Sequence, residues 1–218
     1  YGLGAWTDQT RKQPWPMAKE KPIFLSEEFF AHGRKPAEFA GVGGERCFLG
    51  RAETSQAVGL LARMYSEGYR WQELGAFHFW FGRDTTGHYA SWQPVLALCR
   101  QWNWTFAGGS RVPRTLMVRN DTRLPDPIEL EWTLEVAGKR VAGERQTLTV
   151  PPGHGKVVEI TLPIPKARER TAGTFTLTCR RGGETVWTRS QALAIIDPDA
   201  APKPDARADD LVVWDPDG

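Results

Sequence analysis

The stretches Lys21-Pro-Ile-Phe-Leu-Ser-Glu-Glu28 and Gly75-Ala-Phe-His-Phe-Trp-Phe-Gly82 indicate the fold of the first half of the chain. Each contains a short apolar run that stops at polar or aromatic residues, as is typical of a buried strand. Residues 55–74 between them carry apolar side chains at helical spacing, with Thr54 or Ser55 as the candidate N-cap. A strand, a helix and a second strand in this order predict two parallel neighbours in an α/β sheet.

The ends of these two strands resemble a pair of motifs from the clan A retaining glycoside hydrolases, which include the family 2 β-galactosidases and β-glucuronidases. Pro22 to Glu27 is similar to the seventh strand of the (β/α)8 barrel in that clan, and Trp80 matches the Trp that ends its eighth strand. The resemblance covers roughly residues 1–106. It implies that this region is an α/β barrel fragment, made of the last strands and helices of a TIM barrel.

The same resemblance implies that Glu27 is the catalytic nucleophile and that Trp80 forms the floor of a sugar subsite. Retaining hydrolysis of a glycosidic bond requires two carboxyl groups about 5–5.5 Å apart. The acid/base Glu of the clan lies on the fourth barrel strand, which nothing before Glu27 supplies. The residue types alone also allow a solvated Glu27 and a core Trp80.

We therefore expect a segment of a retaining glycoside hydrolase that forms a glycosyl-enzyme on Glu27 and needs a Glu from outside this chain. As an interior piece of a longer protein, the chain alone would be inactive. The chemistry requires no cofactor. The alternative is a non-catalytic carbohydrate-binding or structural protein with a barrel and a sandwich.

Four further residues near the two strand ends are candidates for substrate binding. His78 faces the same side of its strand as Trp80 by the two-residue alternation, a position that also suits a hydrogen-bonded core histidine. Arg83 and Asp84 follow that strand and could bind sugar hydroxyls or form a surface ion pair, and His32 follows the first strand. The His and Cys residues show no metal-ligand spacing, so no metal site is predicted.

The composition argues against two kinds of partner, nucleic acids and membranes. Hydrophobic residues make up 40% of the chain, charged residues 25%, and the formal net charge is +2. Such a small charge argues against a nucleic acid partner. The sequence also contains no apolar run of about 18 residues, so no membrane span is predicted. The resemblance to the glycoside hydrolases implies an oligosaccharide, a polysaccharide or a glycoside as the ligand. The oligomeric state and the compartment stay open, with secretion or a periplasmic location among the alternatives.

The second half of the chain changes its periodicity. Residues 93–104 carry a helical stripe that predicts the last helix of the barrel. From Arg114 onward apolar and polar residues alternate, most clearly from Ile128 to Val136, and turn signals such as Arg181-Gly-Gly-Glu184 separate the runs. Six or seven short strands predict an all-β immunoglobulin-like sandwich. The predicted organisation is a barrel part (1–106), a linker (107–113), the sandwich (114–197), a second linker (198–210) and the start of a further β element (211–218).

Overall fold

The computed structural model of the 218-residue chain describes residues 6–8, 13–15, 24–31, 36–81, 86–197 and 199–200. These residues are mostly β-structure. The two α-helices are α1 (Pro36–Gly43) and α2 (Arg51–Trp71), and the two 3-10 helices are η1 (Gly44–Phe48) and η2 (Thr86–Ser91). The strands are β1 (Trp6–Asp8), β2 (Gln13–Trp15), β3 (Phe24–Ala31), β4 (Ala76–Phe81), β5 (Val95–Cys99), β6 (Thr105–Ala107), β7 (Arg111–Asn120), β8 (Ile128–Val136), β9 (Lys139–Leu148), β10 (His154–Pro163), β11 (Thr171–Arg181) and β12 (Glu184–Ile196).

The predicted fold class, an α/β barrel fragment followed by an immunoglobulin-like sandwich, is wrong. β3 and β4 do pair in parallel with α2 between them, so the local strand–helix–strand prediction is confirmed. In the described part of the chain, however, they form a separate two-stranded sheet and not part of a barrel. Residues 93–104, predicted as the last barrel helix, instead contain strand β5, which pairs with β7 in the sandwich.

Burial explains why β5 was predicted as a helix. Val95, Leu96, Ala97 and Leu98 are all buried, so both faces of this strand are covered. A strand that is buried on both faces shows no polar alternation, and its apolar run then matches helical spacing equally well.

The sandwich consists of two sheets around one hydrophobic core. The first has the order β10-β7-β5 and the second the order β6-β12-β11-β8-β9. Its neighbouring strands are antiparallel except for β6 and β12. Both sheets contribute to the core, for example Leu116 from β7 and Leu177 from β11. Burial of each such side chain contributes about 1.5–3 kcal/mol.

Several sequence predictions for the sandwich strands are confirmed. The side chains of β8 alternate as expected, with Ile128, Leu130 and Leu134 buried and the glutamates between them outside. The turn from β11 to β12 has positive φ angles of 58° at Gly182 and 85° at Gly183, as a two-residue type I′ turn requires. The predicted domain limits stay a prediction. Residues 201–218, which include the predicted β element, lie outside the described residues.

α2 belongs to a second, smaller hydrophobic core. Val58, Ala62 and Tyr69 on one face of the helix are buried together with Phe79 of β4. The helix begins before the predicted N-cap, and Thr54 lies in its first turn, where its hydroxyl donates to the carbonyl oxygen of Cys47 at 2.8 Å. The opposite face of α2 carries the residues that connect the two cores.

Candidate functional site

The residues predicted to act on a sugar are only partly described by the structure. Glu27 lies in β3 and Trp80 in the neighbouring parallel strand β4, but their side chains are outside the described part. His78 is exposed on β4. His32, Arg83 and Asp84 are outside the described residues. The assignment of these side chains to a sugar site therefore stays a prediction.

The described residues contain no group of three His, Cys, Asp or Glu side chains that could hold a metal ion. No helix among them is both long enough and apolar enough to cross a membrane.

A buried polar network lies where α2 meets the sandwich, and sequence reasoning did not find it. We call it the junction. The α2 residues of the junction lie roughly 140° around the helix axis from Val58, the centre of the apolar face, and so on the opposite face of α2. The junction consists of Arg63, Glu67 and Arg70 on α2, Ser91 on η2, Arg119 on β7, Asp121 after β7 and Arg189 on β12.

Glu67 is the centre of the junction. It is only 4% exposed. Its Oε1 atom accepts hydrogen bonds from Nε of Arg63 at 2.8 Å, from Oγ of Ser91 at 2.9 Å, and from Nη1 of Arg189. Nη2 of Arg189 also donates to Oγ of Ser91 at 2.9 Å. One carboxylate thus joins α2, η2 and β12.

The arginines of the junction are cations that have lost much of their hydration. Burial lowers the pKa of the Arg189 guanidinium, and the charge of Glu67 acts in the opposite direction. Burial likewise lowers the pKa of Arg70, against the effect of Asp121. Removing Glu67 would leave the buried Arg189 cation without its charge partner, which costs several kcal/mol.

Asp121 forms a second bridge between helix and sheet. Its Oδ2 atom accepts from Nη2 of Arg70 at 2.7 Å, and its Oδ1 atom accepts from Nη2 of Arg119 at 2.9 Å. Nη1 of Arg119 donates to Glu73 at 3.2 Å, just beyond the C-terminus of α2. Since Asp121 and Glu73 are partly exposed, this bridge is weaker than the one at Glu67.

The end of η2 is held between α2 and β12. The indole N–H of Trp187 donates to the carbonyl oxygen of Ala90 at 3.0 Å. Nη1 of Arg70 donates to the carbonyl oxygen of Ser91 at 2.5 Å. The indole N–H of Trp92 donates to Oγ of Ser66 at 3.1 Å. The first two bonds satisfy backbone carbonyl groups of η2, and the third joins the residue after η2 to α2.

A cavity of about 20 Å³ lies beside the junction, lined by Arg63, Cys99, Trp104 and Arg189 among others. A cavity needs about 10–15 Å³ to hold one water molecule, so this space is far too small for a sugar. Burial raises the pKa of the Cys99 thiol to about 11. The thiol is therefore neutral near pH 7 and is no candidate nucleophile.

No family model and no curated protein matches this chain. Solved structures with a similar fold include a β-glucuronidase from glycoside hydrolase family 2, with 13% identity, a TM-score of 0.35 and coverage of 47% of this chain and 11% of that chain. A putative β-galactosidase from Bacteroides fragilis has 13% identity, a TM-score of 0.35 and coverage of 48% and 16%. A CARDB domain from Pyrococcus furiosus has 11% identity, a TM-score of 0.34 and coverage of 48% and 96%. The chain thus spans only a small part of the two glycosidases, and the likeness concerns the fold alone.

Proposed function

We propose that this chain is a non-catalytic structural module in which the β-sandwich holds the β3–α2–β4 segment in one orientation. The observation that supports this proposal most is the buried Glu67, which accepts hydrogen bonds from Arg63, Ser91 and Arg189 on three elements. Hydrogen bonds from several elements to one buried carboxylate rigidify the elements that supply the donors. The junction therefore acts as a rigid connection between the two cores.

The composition of the junction also favours a structural role over a catalytic one. Its carboxylates, Glu67 and Asp121, are each engaged with two arginines. The adjacent cavity of about 20 Å³ has no room for a sugar ring. The charged side chains of the junction are paired with one another, and their positions suit a role in holding α2 against β12.

The test is a substitution that removes the central charge but keeps the shape. Glu67→Gln leaves Arg63 and Arg189 without their shared carboxylate, and loss of one partner from a buried pair costs about 3–5 kcal/mol. Amide hydrogen exchange in α2 should accelerate by roughly 100-fold or more. Glu45→Gln, which removes the same charge from an exposed residue of η1, is the matched control. Equal exchange of α2 in the two variants would refute the proposal.

A second candidate function is the catalytic one, as a segment of a retaining glycoside hydrolase with Glu27 as nucleophile. The parallel pairing of β3 and β4 favours it, because Glu27 and Trp80 each lie next to a residue of the Glu28–Phe79 pair. Under this proposal, Glu27→Gln should lower turnover of an aryl β-glycoside by several orders of magnitude in a protein that joins this chain to the acid/base carboxylate. Glu28→Gln should have a much milder effect. The opposite ranking would contradict this role for Glu27.

A further inference from the structure

Both asparagines of the chain lie in an Asn-X-Thr sequence. The first is Asn103-Trp-Thr105 and the second is Asn120-Asp-Thr122. Such a sequence is an acceptor for N-linked glycosylation when X is not Pro and when the segment lies at the surface of an exported chain. Neither sequence takes part in the functions proposed above, and the two asparagines differ sharply in their surroundings.

Asn103 is exposed in the segment that joins β5 to β6. Its carboxamide oxygen accepts from Nη2 of Arg114 at 3.3 Å, and its backbone carbonyl oxygen accepts from the same atom at 2.5 Å. The amide nitrogen Nδ2 is the atom to which a glycan is attached, and it makes no hydrogen bond to any residue in the described ranges. A sugar on Nδ2 of Asn103 therefore breaks no hydrogen bond in the described part of the fold.

The residue between Asn103 and Thr105 holds this sequence in place. Trp104 is partly buried and stacks on Phe175 of β11, with a centroid distance of 5.5 Å and an interplanar angle of 26°. The guanidinium group of Arg114 lies 4.9 Å from the centroid of the Trp104 ring. Thr105 is exposed on β6, the strand at the edge of the larger sheet. The two residues that define the motif thus both lie at the surface.

Asn120 at the end of β7 is fully buried, with 0% exposure. Its Nδ2 donates both hydrogens, to the carbonyl oxygens of Leu124 at 2.9 Å and Val150 at 2.8 Å. Its carboxamide oxygen accepts from Nη2 of Arg181 at 3.0 Å. A sugar on this nitrogen would replace one hydrogen, leave a backbone carbonyl group unpaired and force a ring into a close-packed interior. The folded chain therefore excludes a glycan at Asn120.

We propose that Asn103 is a site of N-linked glycosylation and that Asn120, which has the same motif, stays unmodified in the folded chain. The donor is a polyisoprenyl diphosphate that carries an oligosaccharide. Nδ2 of Asn103 forms a bond to C1 of the first sugar and loses one proton, while the bond from C1 to the diphosphate oxygen breaks and the diphosphate leaves with the electron pair. This inference does not depend on the structural role of the junction, because glycan occupancy and hydrogen exchange in α2 are separate measurements.

The test is production of the whole chain behind a cleavable secretion signal in insect cells, followed by peptide mass spectrometry. Both the secreted protein and the protein retained in the secretory compartments are measured, so that a variant that fails to fold is still scored. We expect a glycan on Asn103 in most molecules. Thr105→Ala should abolish it although Asn103 remains, whereas Thr105→Ser should retain it because Ser also completes the motif. Thr161→Ala, which removes an exposed threonine from β10, is the matched control and should leave the glycan in place.

Three results would overturn the proposal. The first is an unmodified Asn103 in both the secreted and the retained protein. The second is equal occupancy of Asn103 in Thr105→Ala and in the unaltered chain, because the modification would then not follow the motif. The third is a glycan on Asn120 in secreted protein that is monomeric and resists proteolysis, because the buried amide would then be open to modification in the folded state.

Discussion

At the scale of single residues, Glu131 on β8 is a carboxylate among the described residues whose surroundings lower its pKa. It accepts hydrogen bonds from Arg180 at 2.5 Å and from Arg145 at 3.1 Å. The hydrogen bond from Arg180 is the main cause that lowers the pKa of Glu131. Because the folded-state pKa lies below the ordinary value of about 4.3, the stabilisation is present above that pH and is lost as the pH falls through the folded-state value.

We therefore expect Glu131→Gln to lower the free energy of unfolding by about 1 kcal/mol at pH 7 and to have less effect near pH 3, because ion pairs close to the surface are weak. Urea unfolding at several pH values measures this difference. Glu144→Gln, at an exposed residue of β9, should leave the pH dependence of the unaltered chain intact. A loss that is equal at pH 7 and pH 3 would mean that Glu131 does not stabilise the fold through its charge.

The junction shows why such residues are hard to find from sequence. Arg63 and Glu67 have the spacing of an ordinary surface pair on a helix, and charged residues at this spacing are usually solvated. Their burial depends on Arg189, which is 122 residues away from Glu67 in the chain. No local pattern contains that information, whereas the apolar face of α2 is local and was predictable at Val58.

At the scale of elements, the hairpin from β11 to β12 was predictable because its two central glycines demand a particular turn. Gly183 has a φ of 85°, a conformation that a side chain with a Cβ atom rarely adopts. Gly183→Val should therefore destabilise the chain by about 1–2 kcal/mol. Gly182→Asn, at a φ of 58°, should have a smaller effect because Asn tolerates the left-handed region. Equal urea midpoints for Gly183→Val and Gly182→Asn would contradict this account of the turn.

Strand β5 shows the limit of periodicity as a guide to elements. Strands β8 and β11 of the other sheet have one polar face, and their alternating side chains predicted strands correctly. In β5 four consecutive residues from Val95 to Leu98 are buried. Only the tertiary pairing with β7, between Leu96 and Arg119 for example, determines that this run is extended. Residues 93–104 alone therefore could not show whether this run is a strand or a helix.

At the scale of the whole molecule, two hydrophobic cores meet through a polar junction. The larger core lies between the sheets of the sandwich, and the smaller one is formed by residues of α1, η1, α2 and β4. The two motifs that resemble those of the glycoside hydrolase barrel lie at strands β3 and β4. Two parallel strands joined by a helix occur in many folds. The resemblance therefore predicted the local pairing correctly but not the architecture around it.

In the proposed structural role, the ion pair Glu67–Arg189 fixes α2 to the sandwich. A double-mutant cycle with Glu67→Ala, Arg189→Ala and the double variant tests it most directly, with the opening free energy of α2 measured by hydrogen exchange at neutral pH. Residues in one buried ion-pair network couple by roughly 0.5–3 kcal/mol. Since Glu67 is 4% exposed and bonded to Arg189, we predict a coupling of about 2 kcal/mol in the favourable direction. Additive effects, with a coupling below about 0.3 kcal/mol, would show that this ion pair does not hold α2 against the sandwich.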